Sequence, residues 1–162
     1  MTNEQVILTK AGLQEKQEKL DHLKTVKRAQ ISEQIKEARA FGDLSENAEY
    51  DEAKNEQARV ETEIALLEKL LRNAVVVEDT DIDPSTVGIG TSVRILDMEY
   101  NEEEVYAIVG SVEADADRKR ISNESPVGAA LIGKKVGEMA EVTTPAGTFS
   151  LKILDISKQG QV

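Results

Sequence analysis

Cysteine and tryptophan are both missing from the 162 residues. Without cysteine there can be no disulfide, no thiolate zinc site and no cysteine nucleophile. That composition suits a reducing cytoplasm, where the protein is expected to work. Aromatic residues make up 3% of the chain, which argues against aromatic-lined pockets and base-stacking platforms. No apolar run approaches the roughly 18 residues that a membrane-spanning helix needs. The N-terminus, Met1-Thr2-Asn3-Glu4-Gln5, lacks the basic and apolar regions of a signal peptide.

Positive charge is also scarce. Lys and Arg total 20 against 31 Asp and Glu, for a net charge of −11. Binding duplex DNA by general phosphate neutralisation requires clustered cations, so any nucleic-acid contact must be local or arranged by a partner. The one basic triplet, Arg118-Lys119-Arg120, is too short to suggest a DNA-binding surface.

Proline is absent before residue 75, and glycine occurs there only at Gly12 and Gly42; all three Pro and eight of the ten Gly come later. The two halves also differ in period. From Ala48 to Leu71, the residues Ala53, Gln57, Val60, Ile64, Leu67 and Leu71 are spaced 4, 3, 4, 3 and 4 apart. This is a heptad seam, apolar except at Gln57. Thr9 to Phe41 is helical in composition, with apolar groups Leu13, Leu20, Leu23 and Ile31, Ile35, Ala38. Lys24 to Gln30 keeps the seam poorly and is expected to be irregular. Two such helices can bury their narrow stripes on each other as an antiparallel coiled-coil hairpin. A helix of about 33 residues would be about 50 Å long, and the exposed tip would be Gly42 to Asn47.

The second half alternates at period two. Thr91–Leu96, Glu104–Val109, Glu141–Thr144 and Thr148–Leu154 read as strands, with a hairpin turn at Pro145-Ala146-Gly147. Ser125-Pro126 starts a short helix that Gly133 ends. The expected fold class is α+β in two domains: a hairpin over residues 1–77, a linker over 78–90, and an antiparallel sheet with a short helix over 91–162.

Acid is concentrated at the tip, where Asp43, Glu46, Glu49, Asp51 and Glu52 fall within ten residues. One reading is structural. Gly42 stops the first helix, Asp43 caps the second, and Glu46 completes a capping box. The other is chemical. Two carboxylates three residues apart on an exposed turn are hard oxygen donors suited to Mg²⁺. They are too few for a site of their own and make sense as additions to a metal site that another protein has half built. His22, the only histidine, has no identifiable partner and reads as a helix-surface residue. In the acidic loop Glu113-Ala114-Asp115-Ala116-Asp117 the Asp residues are spaced like the start of a calcium loop, without its following Gly and distal Glu, and the loop reads as a solvated turn.

Glu37-Ala38-Arg39-Ala40-Phe41-Gly42-Asp43-Leu44-Ser45-Glu46-Asn47-Ala48-Glu49-Tyr50 resembles the tip signature of the bacterial Gre transcript-cleavage factors. Ser125-Pro126-Val127-Gly128-Ala129-Ala130-Leu131-Ile132-Gly133-Lys134-Lys135 resembles a second signature of the same family. The likeness runs through the whole chain. It implies an FKBP-like second domain that docks on RNA polymerase, and a hairpin that enters the polymerase secondary channel. It implies that Asp43 and Glu46 help to hold a second Mg²⁺ shared with the polymerase, that Ser45 shapes the tip, and that Lys54 faces the extruded RNA. The factor would be a monomer and an accessory to the polymerase rather than an enzyme, stimulating cleavage of backtracked RNA. Proline isomerisation is discounted, because the second half offers only Tyr100, Tyr106 and Phe149 for an apolar pocket. A channel-entering inhibitor of the same superfamily and a coiled-coil adaptor or chaperone remain as alternatives.

Overall fold

The computed structural model describes residues 5–42 and 47–159. The chain forms two compact units: Leu13–Asn73, and Met1–Gly12 together with Ala74–Val162.

The helical unit is a hairpin. Helix α1 (Lys10–His22) runs through a π-helical turn, Leu23–Lys27, into α2 (Arg28–Arg39); α3 (Ala48–Arg72) returns against them. The core between them consists of Leu23, Ile31, Ile35, Ala53, Val60, Ile64 and Leu67, with Leu20 and Tyr50 packed on it. All but Tyr50 are seam residues expected from the sequence, whereas Leu13 and Leu71, also expected there, are only half-buried. Leu23 and Ile31 are eight residues apart where a heptad would give seven. A π turn is an α-helix with one residue inserted, so the turn absorbs the surplus and keeps both residues in the seam. The irregularity expected over Lys24–Gln30 has this form. Thr25 donates its hydroxyl to the Asp21 carbonyl at 2.7 Å. Ion pairs cross the hairpin at Lys19–Glu63 (2.6 Å), Lys24–Glu68 (3.0 Å), Arg28–Glu61 (2.7 Å) and Lys27–Glu56 (3.8 Å). They join exposed or half-buried side chains at the surface, where such pairs contribute little singly.

The second unit carries two sheets. β1 (Val6–Thr9) and β2 (Ala74–Val77) pair in parallel. The sequence reading places both segments in the hairpin domain, yet their short β-branched runs satisfy their backbones with each other. The main sheet contains β3 (Thr91–Asp97), β4 (Glu102–Val109), β5 (Arg120–Ser122), β6 (Met139–Thr144) and β7 (Gly147–Lys158), in the order β5-β4-β3-β7-β6. Its pairs are antiparallel except β4 with β5, so the sheet is mixed at one edge.

Alternation places Val93 and Ile95 of β3 and Ala140 and Val142 of β6 in one core with Leu151 and Ile153 of β7. Ile156 joins that core although it breaks the parity of Leu151 and Ile153. The register of β7 shifts opposite Arg94/Ile95, so that Leu154 is the extra residue of a β-bulge and the inward face resets. Helix α4 (Pro126–Leu131) is capped by the Ser125 hydroxyl, which accepts from Gly128 N–H at 3.1 Å, and Gly133 follows at φ +81°. Leu131 is fully buried and the adjacent Ile132 is largely exposed. Residues 78–90, read from the sequence as a linker, pack onto this unit. Val87 is core, and its backbone exchanges hydrogen bonds with Gly133 and Lys134 at 2.9 Å.

The chain is therefore α+β, a helical hairpin plus a sheet unit with one short helix.

Candidate functional site

The tip of the hairpin is built by the ends of α2 and α3. Past Arg39 the helix tightens: Phe41 N–H donates to the Ala38 carbonyl and Gly42 N–H to the Arg39 carbonyl, both at 3.2 Å. Gly42 then takes φ +100°, a left-handed conformation that glycine adopts without penalty. This agrees with its expected role as the stop of the first helix.

The second helix is capped differently from the expectation. It begins at Ala48, and its N-cap is Asn47, not Asp43. The Asn47 side-chain oxygen accepts from Tyr50 N–H at 3.1 Å, while its Nδ2 donates to the Ala38 carbonyl at 2.7 Å. One amide thus caps α3 and ties it to the last turn of α2. The capping-box pattern at Asp43 and Glu46 was misleading because Asn47, one residue past Glu46, is itself a strong cap former. The guanidinium of Arg39 lies 5.9 Å from the centre of the Tyr50 ring, a second link between the two helices. Glu49 and Asp51 occupy the first turn of α3, where negative charge is favoured by the helix dipole.

Asp43, Ser45 and Glu46 lie outside the described residues. The segment that carries them spans four residues between two fixed ends, Gly42 and Asn47. Lys54 is exposed on α3, seven residues beyond the cap, and its ammonium donates to Gln57 at 3.1 Å. It therefore stands about 10 Å along the helix from Asn47. Among the described residues, no group of three or more His, Asp or Glu could hold a metal ion.

Two family descriptions match this chain: "Transcription elongation factor, N-terminal" over residues 6–76, and "Transcription elongation factor, GreA/GreB, C-term" over residues 82–158. The chain belongs to the GreA/GreB transcription elongation factor family. It is 55% identical over 157 residues to the transcription elongation factor GreA of Acetivibrio thermocellus, covering 97% of this chain and 99% of that one. It is 58% identical over 153 residues to the GreA of Thermoanaerobacter pseudethanolicus, covering 94% and 98%. The crystal structure of GreA factor homolog 1 of Thermus thermophilus is 28% identical, with a TM-score of 0.44, and covers 95% of this chain and 99% of that one.

Several residues weighed from the sequence of this GreA/GreB family member fall elsewhere. His22 is exposed at the end of α1. Asp115 accepts from Asp117 N–H at 3.0 Å in a tight turn that continues through Lys119 at φ +57°. Tyr100 is exposed on the β3–β4 turn, whereas Tyr106 and Phe149 pack against the sheet core. Burial, and then the hydrogen bond that Tyr106 donates to Glu104, push the Tyr106 phenol up to about 12. Lys119 pairs with Glu104 at 3.4 Å and lies over the Tyr106 ring at 5.8 Å. No helix among the described residues is long and apolar enough to cross a membrane.

The sequence reading places Glu113 in a solvated turn, and the structure corrects it. Glu113 is buried, and its carboxylate accepts from the Thr9 backbone and hydroxyl, while the Thr9 hydroxyl accepts from Gly12 N–H at 3.1 Å. The only available signal was Gly12 near a helix start, which does not name its partner.

Proposed function

We propose that this protein is a cytoplasmic accessory factor of RNA polymerase. It inserts its hairpin into the secondary channel and stimulates the polymerase's own Mg²⁺-dependent cleavage of backtracked RNA. The observation that carries the reading is the Asn47 clamp. One side chain joins the two helices at the base of the four-residue segment that bears Asp43 and Glu46. Ligands presented to a metal site owned by a partner must be held within a fraction of an ångström, and such a tie provides that restraint.

Two carboxylates are hard donors suited to Mg²⁺ and too few to retain it alone. Asp43 and Glu46 would hold a second ion jointly with the polymerase, and that ion supplies activation of the attacking water. Ser45 shapes the segment between them. Lys54, exposed two turns along α3, faces the extruded RNA as a local positive charge. The sheet unit docks on the polymerase. The factor acts as a monomer and cleaves no RNA unaided.

The test uses polymerase stalled and backtracked on a template in Mg²⁺, with RNA shortening followed over time. Asp43→Asn and Glu46→Gln should each abolish the stimulation while polymerase binding and thermal melting stay near those of the parent. Undiminished stimulation by both variants would remove the metal-ligand role.

A further inference from the structure

The hairpin unit contains two aromatic residues, Phe41 and Tyr50. Tyr50 packs on the hairpin core. Phe41 is 76% exposed, the largest exposure among the large apolar side chains of the described residues. Its backbone, by contrast, is held. The Phe41 N–H donates to the Ala38 carbonyl, the same oxygen that receives the Asn47 side chain. The ring is thus carried on a turn tied to both helices, beside the segment that holds Asp43 and Glu46.

Next to the ring lies an open depression of roughly 710 Å³, lined in part by Ala38, Ala40 and Ala53, by the carboxylates Glu37, Glu49, Glu52 and Glu56, and by Lys27 and Arg59. The four carboxylates outnumber the two cations, and Lys27 and Arg59 both pair with Glu56, so the depression is net negative and suits the bases of a nucleic acid better than its phosphates. Carboxylates accept hydrogen bonds from the exocyclic amines of bases. Every base has a π-face, so stacking on an aromatic ring tolerates any sequence, as a factor acting on arbitrary transcripts requires.

We propose that Phe41 is a positioning residue that stacks on an unpaired base at the 3′ end of the extruded RNA. It would fix that end while the tip carboxylates act. The proposal rests on the cleavage-stimulation reading and adds the RNA base as a ligand of this protein. Stacking on one base changes binding by roughly 5- to 160-fold, from about 1–3 kcal/mol per base.

The experiment uses the full-length protein with RNA polymerase backtracked by two nucleotides. The RNA carries either ordinary 3′ nucleotides or stable abasic analogues. Phe41→Leu keeps apolar volume and removes the ring's π-face; Phe41→Trp keeps the π-face. On ordinary RNA, Phe41→Leu should slow stimulated cleavage about thirtyfold, the middle of the stacking range, and Phe41→Trp should not. On abasic RNA, the parent and Phe41→Leu should cleave at the same rate. Melting curves should coincide, because the ring is exposed. Equal rates for the parent and Phe41→Leu on ordinary RNA would overturn the proposal. So would an undiminished deficit on abasic RNA, which would assign the ring to a protein surface of the polymerase. A parent that stimulates cleavage of neither RNA would remove the underlying reading as well, so the two failures are distinguishable.

Discussion

Glu113 grips Thr9 across 104 positions of sequence: one carboxylate oxygen accepts the Thr9 backbone N–H at 2.8 Å and the other accepts its hydroxyl at 2.6 Å. Gly12 lies beneath this carboxylate, and a Cβ there would come within 2.0 Å of Oε1. The first residues of α1, through Gly12, belong to the sheet unit and lie under a buried acid of that same unit. Glu113→Ala should cost about 1.5–3 kcal/mol, the range for hydrogen bonds to a charged group. Gly12→Ala should be similarly destabilising in the parent, since its methyl must displace the carboxylate. In the Glu113→Ala background the same Gly12→Ala change should instead stabilise, by up to about 1 kcal/mol of helix propensity. Denaturant melts of the four proteins read this reversal of sign, and simple additivity would contradict the contact.

The π turn predicts tolerance of a deletion. Removing Val26, which is exposed, returns the Leu23-to-Ile31 spacing to a heptad and lets α1 and α2 join as one α-helix. Helical content should be retained and the melting temperature should not fall, because the cross-hairpin ion pairs it resets lie at the surface and are individually weak. Loss of helicity by circular dichroism would show that the turn has a role beyond accommodating the extra residue.

Asn47 has two bonds that substitution can separate. Asn47→Asp keeps the acceptor for Tyr50 N–H and loses the donor to Ala38; Asn47→Ala loses both. Asn47→Ala should cost about 0.5–2 kcal/mol of stability and Asn47→Asp less, since a carboxylate suits a helix N-terminus. Both should reduce stimulated RNA cleavage if the tie to Ala38 holds the tip in place. Full cleavage stimulation by Asn47→Asp would confine Asn47 to a capping role.

Alkaline stability carries a signature of Tyr106. Its phenol ionises at about 12 in the fold, against about 10 when exposed in an unfolded chain. A raised folded value means that the neutral form stabilises the fold. That contribution is whole below about pH 10 and is lost as the pH rises towards 12. Glu104, held below the usual carboxylate range by the hydrogen bond from Tyr106 and then by Lys119, acts in the opposite window and loses its contribution as the pH falls into the acid range. Tyr106→Phe should flatten the loss of stability between pH 10 and 12 in melts taken across that range. An unchanged slope would place the ionisation elsewhere.

Periodicity by itself determined the hairpin seam, the four principal strands and the Ser125-Pro126 helix start, because each follows from local spacing and capping chemistry. It also located the faulty stretch after Leu23, although a lapse in spacing does not say that a π turn will fill it. The residues carrying the resemblance, above all 37–50 and 125–135, pointed to the Gre family, and the comparisons bear that out. Only the tertiary structure decided that β1 pairs with β2, that Arg120–Ser122 adds a parallel edge, and that Val87 is core. It also decided that Asn47 rather than Asp43 caps α3 and that Glu113 sits over Gly12. These are contacts between residues distant in sequence, or contests between neighbouring cap formers. Local propensity ranks such candidates, and the partner that reaches the carbonyl or the N–H in space settles the outcome.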